Sequence, residues 1–516
     1  MSCPLRALPA LLLALASVSL LPGSPRPAAA QGSFRVEVFN TRRELSGELW
    51  GAGQWVAFAV DEEERDLNGD KDVEDSVLHL FNIRSLDTTN TGVAIDYSLQ
   101  DEEENWAVAV SDNLIALQVS ELDNGGRDMN GNGTAEDNVL CVYNPLSKQL
   151  TSLGVMGGQP RFLNGKLYFV RPEADAKKDL NGDGDMQDAV LCSYDPATRQ
   201  IDSLGMEAAN GYQVAGDWIA VAASEAGQFA RDQNLDNDVS DVIAHLYQVS
   251  TKKWTSTAWD CSYGMALTPK LLAVGVEEQR QGNRDLNADK DSQDVVAHVW
   301  NLAAGTGMSL ARDCSGDLVA DDDLVGFITL EEAQGNQDLN GDKDTDDEVA
   351  SSYVLGAAGP TNLTRDASGG IAIGGGKLAF ACSEADQANR DLNNDRDTDD
   401  YVLMIYDPAK NHISNSGWAV DAVLEAKEGY LAWTVLEEDQ KGQDLNRDRD
   451  VEDSILFAMD LRTLNIAPTS TAATDYVAIT SEGIAFGTPE FDQGNRDLNM
   501  DGDTEDEIVQ VARFKK

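Results

Sequence analysis

The sequence predicts an all-β chain closed into a propeller of nine four-stranded blades, with eight as the alternative count. Three observations predict it. An acidic motif recurs nine times, starting at Asp66, Asp128, Asp179, Asp232, Asp285, Asp338, Asp391, Asp444 and Asp497. Its spacing settles at 53 residues from Asp179 onward. Each period holds four short apolar stretches separated by turn signals, with no sustained helical periodicity. A period of about 50 residues indicates a solenoid or a propeller. Four strands per unit select the propeller. Nine blades exceed the usual range of roughly four to eight, which is why eight stays as the alternative.

The unit around Asp391 shows the pattern. "GGIAI" is a first strand and "KLAFACSE" a second. The acidic loop follows, then "YVLMIYD", a turn at Pro408 and "NHISNS". The third strand is the most regular. Two residues past the last Asp of the loop stands Val or Ile in every copy, from Val77 and Val139 to Ile455 and Ile508. Neighbouring blades cover both faces of such a strand, so both faces read as apolar.

The ends suit ring closure. The ninth unit stops after its third strand, and "SFRVEVFN" ahead of the first unit alternates like an unpaired strand. It is expected to supply the fourth strand of the last blade and leave no long exposed edge. Residues 1–30 read as a signal peptide: Arg6, an apolar run from Ala10 to Leu21, and Ala28-Ala29-Ala30 as a cleavage site. Residues 31–516 then form one propeller domain. The expected product is a soluble monomer, secreted or periplasmic, without membrane insertion.

The chain carries 90 acids against 39 bases, a net charge of −51. Such a field repels nucleic acid and anionic membranes and favours cations. The acids cluster in the loops. Candidate ligands are Asp66, Asn68, Asp70, Asp72 and Asp75 in the first copy, and Asp128, Asn130, Asn132 and Asp137 in the second. The third has Asp179, Asn181, Asp183, Asp185 and Asp188; the fourth Asp232, Asn234, Asp236, Asp238 and Asp241; the fifth Asp285, Asn287, Asp289, Asp291 and Asp294. The sixth has Asp338, Asn340, Asp342, Asp344 and Asp347; the seventh Asp391, Asn393, Asp395, Asp397 and Asp400. The eighth has Asp444, Asn446, Asp448, Asp450 and Asp453; the ninth Asp497, Asn499, Asp501, Asp503 and Asp506. These are positions 1, 3, 5, 7 and 10 of the loop.

Alternate residues of a tight loop can turn their oxygens to one centre. Ca²⁺ takes about 6–8 hard oxygen ligands, whereas Mg²⁺ needs stricter octahedral geometry and is the second choice. The loops contain neither Cys nor His, which argues against zinc and copper. A solvated acidic turn would explain the charge but not the register, because solubility does not require Asn at position 3 in every copy. Up to nine Ca²⁺ are therefore expected. The second copy, with Asn132 and Thr134 at positions 5 and 7, should hold the weakest site or none.

A Glu precedes the first Asp by seven residues in seven copies (Glu121, Glu225, Glu278, Glu331, Glu384, Glu437, Glu490), and Glu173 by six. It either closes the coordination shell or ends a strand facing water, and both readings stay open. His79, His245, His298, Cys141 and Cys192 share one phase of the third strand, where other copies hold Ser351, Met404 and Phe457. Core packing explains them better than a metal cluster. Five cysteines remain after the signal, an odd number. An exported protein can join Cys261 to Cys314 if their Cα atoms approach to about 4.4–6.8 Å.

The phrases "KLAFACSE…YVLMIYDPAKNHIS" and "NLIALQVSE…NVLCVYNPLSKQLTSLG" resemble the repeats of TolB-like, WD-like β-propellers. The loops resemble those of thrombospondin type 3 repeats, dockerins and EF-hands. Position 6 is rarely Gly and position 12 is Val or Ile, so no EF-hand helix is implied. The resemblance implies an exported module that mediates protein interactions, with all nine loops on one face around the channel mouth. No nucleophile elbow or His-Glu-x-x-His motif occurs. The expected function is a non-enzymatic scaffold binding a protein or glycan. The alternative is a calcium-dependent hydrolase or lyase with its site at the channel mouth.

Overall fold

The computed structural model describes residues 34–515 apart from 64, 96–106, 229 and 423. The expected signal peptide lies outside the described residues. The strands form nine separate four-stranded antiparallel sheets, so the count of eight falls. Described helix is confined to single turns at Glu173–Ala176, Glu438–Gln440 and Phe491–Gln493. No described helix is long and apolar enough to cross a membrane.

In blades 1 to 8 the strands, here a to d, follow chain order. Blade 7 runs Ile371–Gly374, Lys377–Ser383, Tyr401–Asp407 and His412–Ala419. Gly374 pairs with Lys377 across Gly375 and Gly376, at φ 59° and 71°. Two left-handed residues make the turn whose twist matches a hairpin.

Blade 9 is composite. Val477–Ile479, Gly483–Pro489 and Glu507–Lys515 are joined by Arg35–Glu44 from the other end of the chain. The register runs from Arg35 opposite Lys515 to Asn40 opposite Gln510. Glu37 also takes ion pairs from Arg513 and Lys515 at 3.0 and 3.1 Å. These exposed pairs contribute little; the backbone ladder closes the edge.

The core is divided among the seams. Nine hydrophobic clusters occur among the described residues, and each joins two adjacent blades, including blade 9 to blade 1. Strand b of blade 1, Trp55–Asp61, shows how. Val56, Phe58 and Val60 face blade 9, while Ala57 and Ala59 face blade 2. Period-two alternation feeds two cores at once, so no blade has a solvent face at strand b. The first strands line a central cavity of about 570 Å³, reached by Trp50, Val108, Phe162, Val214, Glu425 and Val477.

His79, His245 and His298 are buried in this core, and burial pushes each imidazole down to about 4, so they are neutral at pH 7. The Cys261–Cys314 bridge does not form: the five described cysteines are free and buried. Cys261 packs into the seam between blades 4 and 5, and Cys314 into the one between blades 5 and 6. One copy per blade keeps them a blade apart.

Each strand d carries a bulge where its register to strand c shifts. A left-handed residue sits there in all nine blades: Arg42, Gly92, Gly154, Gly205, Ala258, Ala311, Thr364, Gly417 and Ser470. Antiparallel alternation then puts every b–c loop on the same face as the d–a connections.

Candidate metal centres

Each acidic loop starts from a buried glutamate just past strand b. Glu384 is fully buried, and its Oε1 accepts the amides of Leu392 and, at 3.2 Å, Asn393. All nine blades repeat this clamp on the first turn of the loop. In blade 1 the residue is Glu62, only four residues before Asp66, which is why the spacing of seven did not reveal it. The glutamate is thus buried and turned into the loop, not facing water.

Position 1 clasps the loop backbone. Asp66 Oδ1 accepts the amide of Gly69 at 2.5 Å and Oδ2 that of Lys71 at 3.1 Å. Positions 4 and 6 are left-handed; at position 6, Lys71, Lys290, Lys343, Arg396 and Arg449 have φ of 94–99°. Side chains other than glycine resist this, and strain of that kind persists only where surroundings over-determine it. For Lys71 and Lys290 the position-1 carboxylate does so, accepting each amide at 3.1 Å. Asn393 Oδ1 then caps the amide of Asp395 at 3.0 Å, and Asp395 Oδ1 that of Asp397 at 3.3 Å. This chain of turns brings alternate oxygens inward.

The outcome is a convergence of carboxylates. Oxygens of Glu62, Asp70, Asp72 and Asp75 lie within 4.8 Å of one another, as do those of Glu384, Asp395, Asp397 and Asp400. Glu173 with Asp185 and Asp188, Glu225 with Asp238 and Asp241, and Glu278 with Asp291 and Asp294 do the same. Oε2 of Glu62, Glu225, Glu331, Glu384, Glu437 and Glu490 is buried without a hydrogen-bond partner. A buried ionised oxygen left unpaired is costly, and a cation would satisfy it.

The electrostatics agree. Burial, with Asp123, Asp70 and Asp72 nearby, pushes Asp75 up to about 7. Asp294 and Asp347 also rise to about 7 and Asp400 to about 8, burial leading each time. Asp137 in the second loop goes the other way, lowered chiefly by the hydrogen bond from Asn130.

Position 3 has a second task. Asn393 Nδ2 donates to Asp400 at 2.7 Å and to the carbonyl of Asp439 in blade 8 at 2.9 Å. The bond across the seam recurs from Asn68, Asn181, Asn234, Asn287, Asn340 and Asn446. A buried glutamine just after the glutamate binds backward: Gln387 Oε1 accepts the amide of Asp366 in blade 6. The same bond reaches Asp260, Asp313, Ala419 and Ala472. Among the described residues, seven of the nine pairs of successive loops are therefore hydrogen-bonded neighbours on one rim. The outer strand adds Asn415 Nδ2 to the carbonyl of Leu392 at 2.9 Å.

These donors fit a hard divalent cation. Oxygen is the only ligand type, several carboxylates meet at one point, and waters or carbonyls can complete 6–8 ligands. Thiol or imidazole, which zinc and copper prefer, is absent from the described loops.

No family model matches the chain, and no curated protein matches it. Similar solved structures include dipeptidyl peptidase 4 of Porphyromonas gingivalis, 11% identical, with TM-score 0.43, over 87% of this chain and 65% of that one. The β-propeller domain of the Trilobed protease from Pyrococcus furiosus is 10% identical, with TM-score 0.36, over 64% and 91%. TolB from Acinetobacter baumannii is 10% identical, with TM-score 0.26, over 70% and 79%. The chain spans 55% of a matched prolyl endopeptidase. At such identities the likeness concerns the propeller fold alone.

Proposed function

We propose that this protein is an exported calcium-binding propeller whose loops hold up to nine Ca²⁺ and whose stiffened rim presents a binding surface to a protein or glycan. One observation carries the calcium reading. A fully buried glutamate aims an unpartnered oxygen at converging carboxylates, and the device repeats around the ring. Ions there would neutralise the mutual repulsion of the loop acids and lock loops that the position-3 asparagines tie blade to blade. The second loop, with two carboxylates replaced, is the weakest or stays empty.

The test is calcium stoichiometry of the full chain by elemental analysis, with thermal unfolding in calcium and in EDTA. A filled site adds about 2.7 kcal/mol at a free calcium a hundred times its Kd. The expected result is several ions per chain and a melting temperature that climbs through millimolar calcium. No bound ion and no shift would end the reading.

A further inference from the structure

The loops are not electrically equivalent, because seven of them borrow a neighbour from the following blade. The carbonyl receiving the position-3 asparagine belongs to the residue two past the next blade's buried glutamate. That residue is Asp123 beside the first loop, Asp439 beside the seventh and Asp492 beside the eighth. It is Gly227 beside the third and Ala333 beside the fifth. Beside the fourth it is Arg280, whose Nη1 lies 3.8 Å from Asp241 Oδ1 while Glu277 holds its Nε at 2.9 Å. The fourth loop is still built as a site. Glu225 Oε2 and Asn234 Oδ1 are buried and unpartnered, and Glu225, Asp238 and Asp241 converge within 4.8 Å.

We infer that the residue lent across each seam grades the calcium affinity of the loops, and that Arg280 makes the fourth the weakest of the eight that keep Asp at positions 5 and 7. The inference rests on the calcium reading of the loops. A fixed positive charge beside a ligand opposes an incoming divalent ion, and a fixed negative charge at the same place assists it. Even screened as in bulk water, one such charge several ångströms away changes a divalent ion's affinity on the order of tenfold.

The experiment is a calcium titration by equilibrium dialysis of the full chain, its Arg280→Gln variant, and versions with the fourth loop disabled by Asp236→Asn and Asp238→Asn. The binding step lost on disabling belongs to the fourth loop. It is expected at higher free calcium than the steps of the other seven loops, and Arg280→Gln should move it down about tenfold. In the opposite sense, Asp439→Asn should move the seventh loop's step, located by disabling Asp395 and Asp397, to higher calcium. A fourth-loop step that stays put in Arg280→Gln, or that fills early in the parent, overturns the grading. If Arg280→Gln does not fold, an unmoved seventh step in Asp439→Asn overturns it alone. A parent that binds no calcium sinks the underlying reading instead.

Discussion

The acidic loops of blades 2 and 7 share one backbone frame and close it by opposite means. In both, the preceding glutamate holds the first turn, Glu121 on Met129 and Asn130, Glu384 on Leu392 and Asn393. In blade 2 the centre is filled by donors. Asp137 Oδ2 accepts from Asn130 at 3.0 Å, Asn132 at 2.5 Å and Thr134 at 3.3 Å, and Glu121 Oε2 takes the Asp137 amide at 3.3 Å. In blade 7, Asp395 and Asp397 stand where Asn132 and Thr134 would donate. Asp400 is pushed up to about 8 and Glu384 Oε2 has no partner. Residues at positions 5 and 7 decide whether the position-10 carboxylate is met by donors, as Asp137 is, or by further carboxylates, as Asp400 is.

The largest expected effect tests the shared frame. Glu384→Ala and Glu121→Ala both strip a buried acceptor from the two amides of the first turn, and Glu121→Ala also from the Asp137 amide, at about 1–3 kcal/mol for each amide left unpaired. Chemical denaturation should show losses of this size in both blades. Glu384→Gln and Glu121→Gln then separate them. Each keeps an oxygen for the amides, but only the blade 7 change should remove one bound calcium. A lost ion in both would erase the distinction between the loops.

Converting one loop into the other comes next. Asn132→Asp with Thr134→Asp should add one calcium per chain by elemental analysis. In EDTA the same variant should melt earlier, since each new carboxylate pair costs about 1 kcal/mol or more when partly buried. A later melt in EDTA would show that repulsion is not the governing term.

pH should split the loops in sign. Asp75, Asp294, Asp347 and Asp400 have folded values raised to about 7 or 8 from 3.8. An acid raised on folding contributes stability that is present below its unfolded value and lost as pH rises through the folded one. Metal-free protein should therefore lose stability between about pH 4 and 8. Asp137, lowered on folding, acts oppositely and loses its contribution only as pH falls below 3.8. Calcium reverses the main trend because its ligands must be ionised. Melting curves across pH, with and without calcium, check this.

The smallest expected effect is at the seam. Asn393→Ala removes the bonds to Asp395 and Asp400 within the loop and the one to the Asp439 carbonyl across the seam, about 1 kcal/mol each. Asn130, which makes no bond across its seam among the described residues, should cost less when replaced by Ala. Equal losses would mean that the seam bond contributes nothing.

Most of the fold was legible, since period, alternation and turn residues are local signals. The site was legible in part. Asp70, Asp72 and Asp75 converge as their spacing suggests, with Glu62 hidden behind a shorter approach to the loop. Asn68 and its equivalents stood out, but their second task did not. Their seam partner is typically 46 residues away and is a backbone carbonyl, which carries no sequence signature. The strand d bulges were equally silent, because Ala258, Ala311, Thr364 and Ser470 do not announce a left-handed φ.

The repeat, the four strands of each unit and the acids of each loop are written in local sequence, because they depend on residues close along the chain. The tertiary structure settled nine blades against eight, bore out Arg35–Glu44 as the strand that completes the last sheet, and alone revealed which neighbour each loop meets. Those outcomes depend on summed seam geometry. Small rotations between blades set where chain ends and charges such as Arg280 fall, and no short window of sequence encodes that sum.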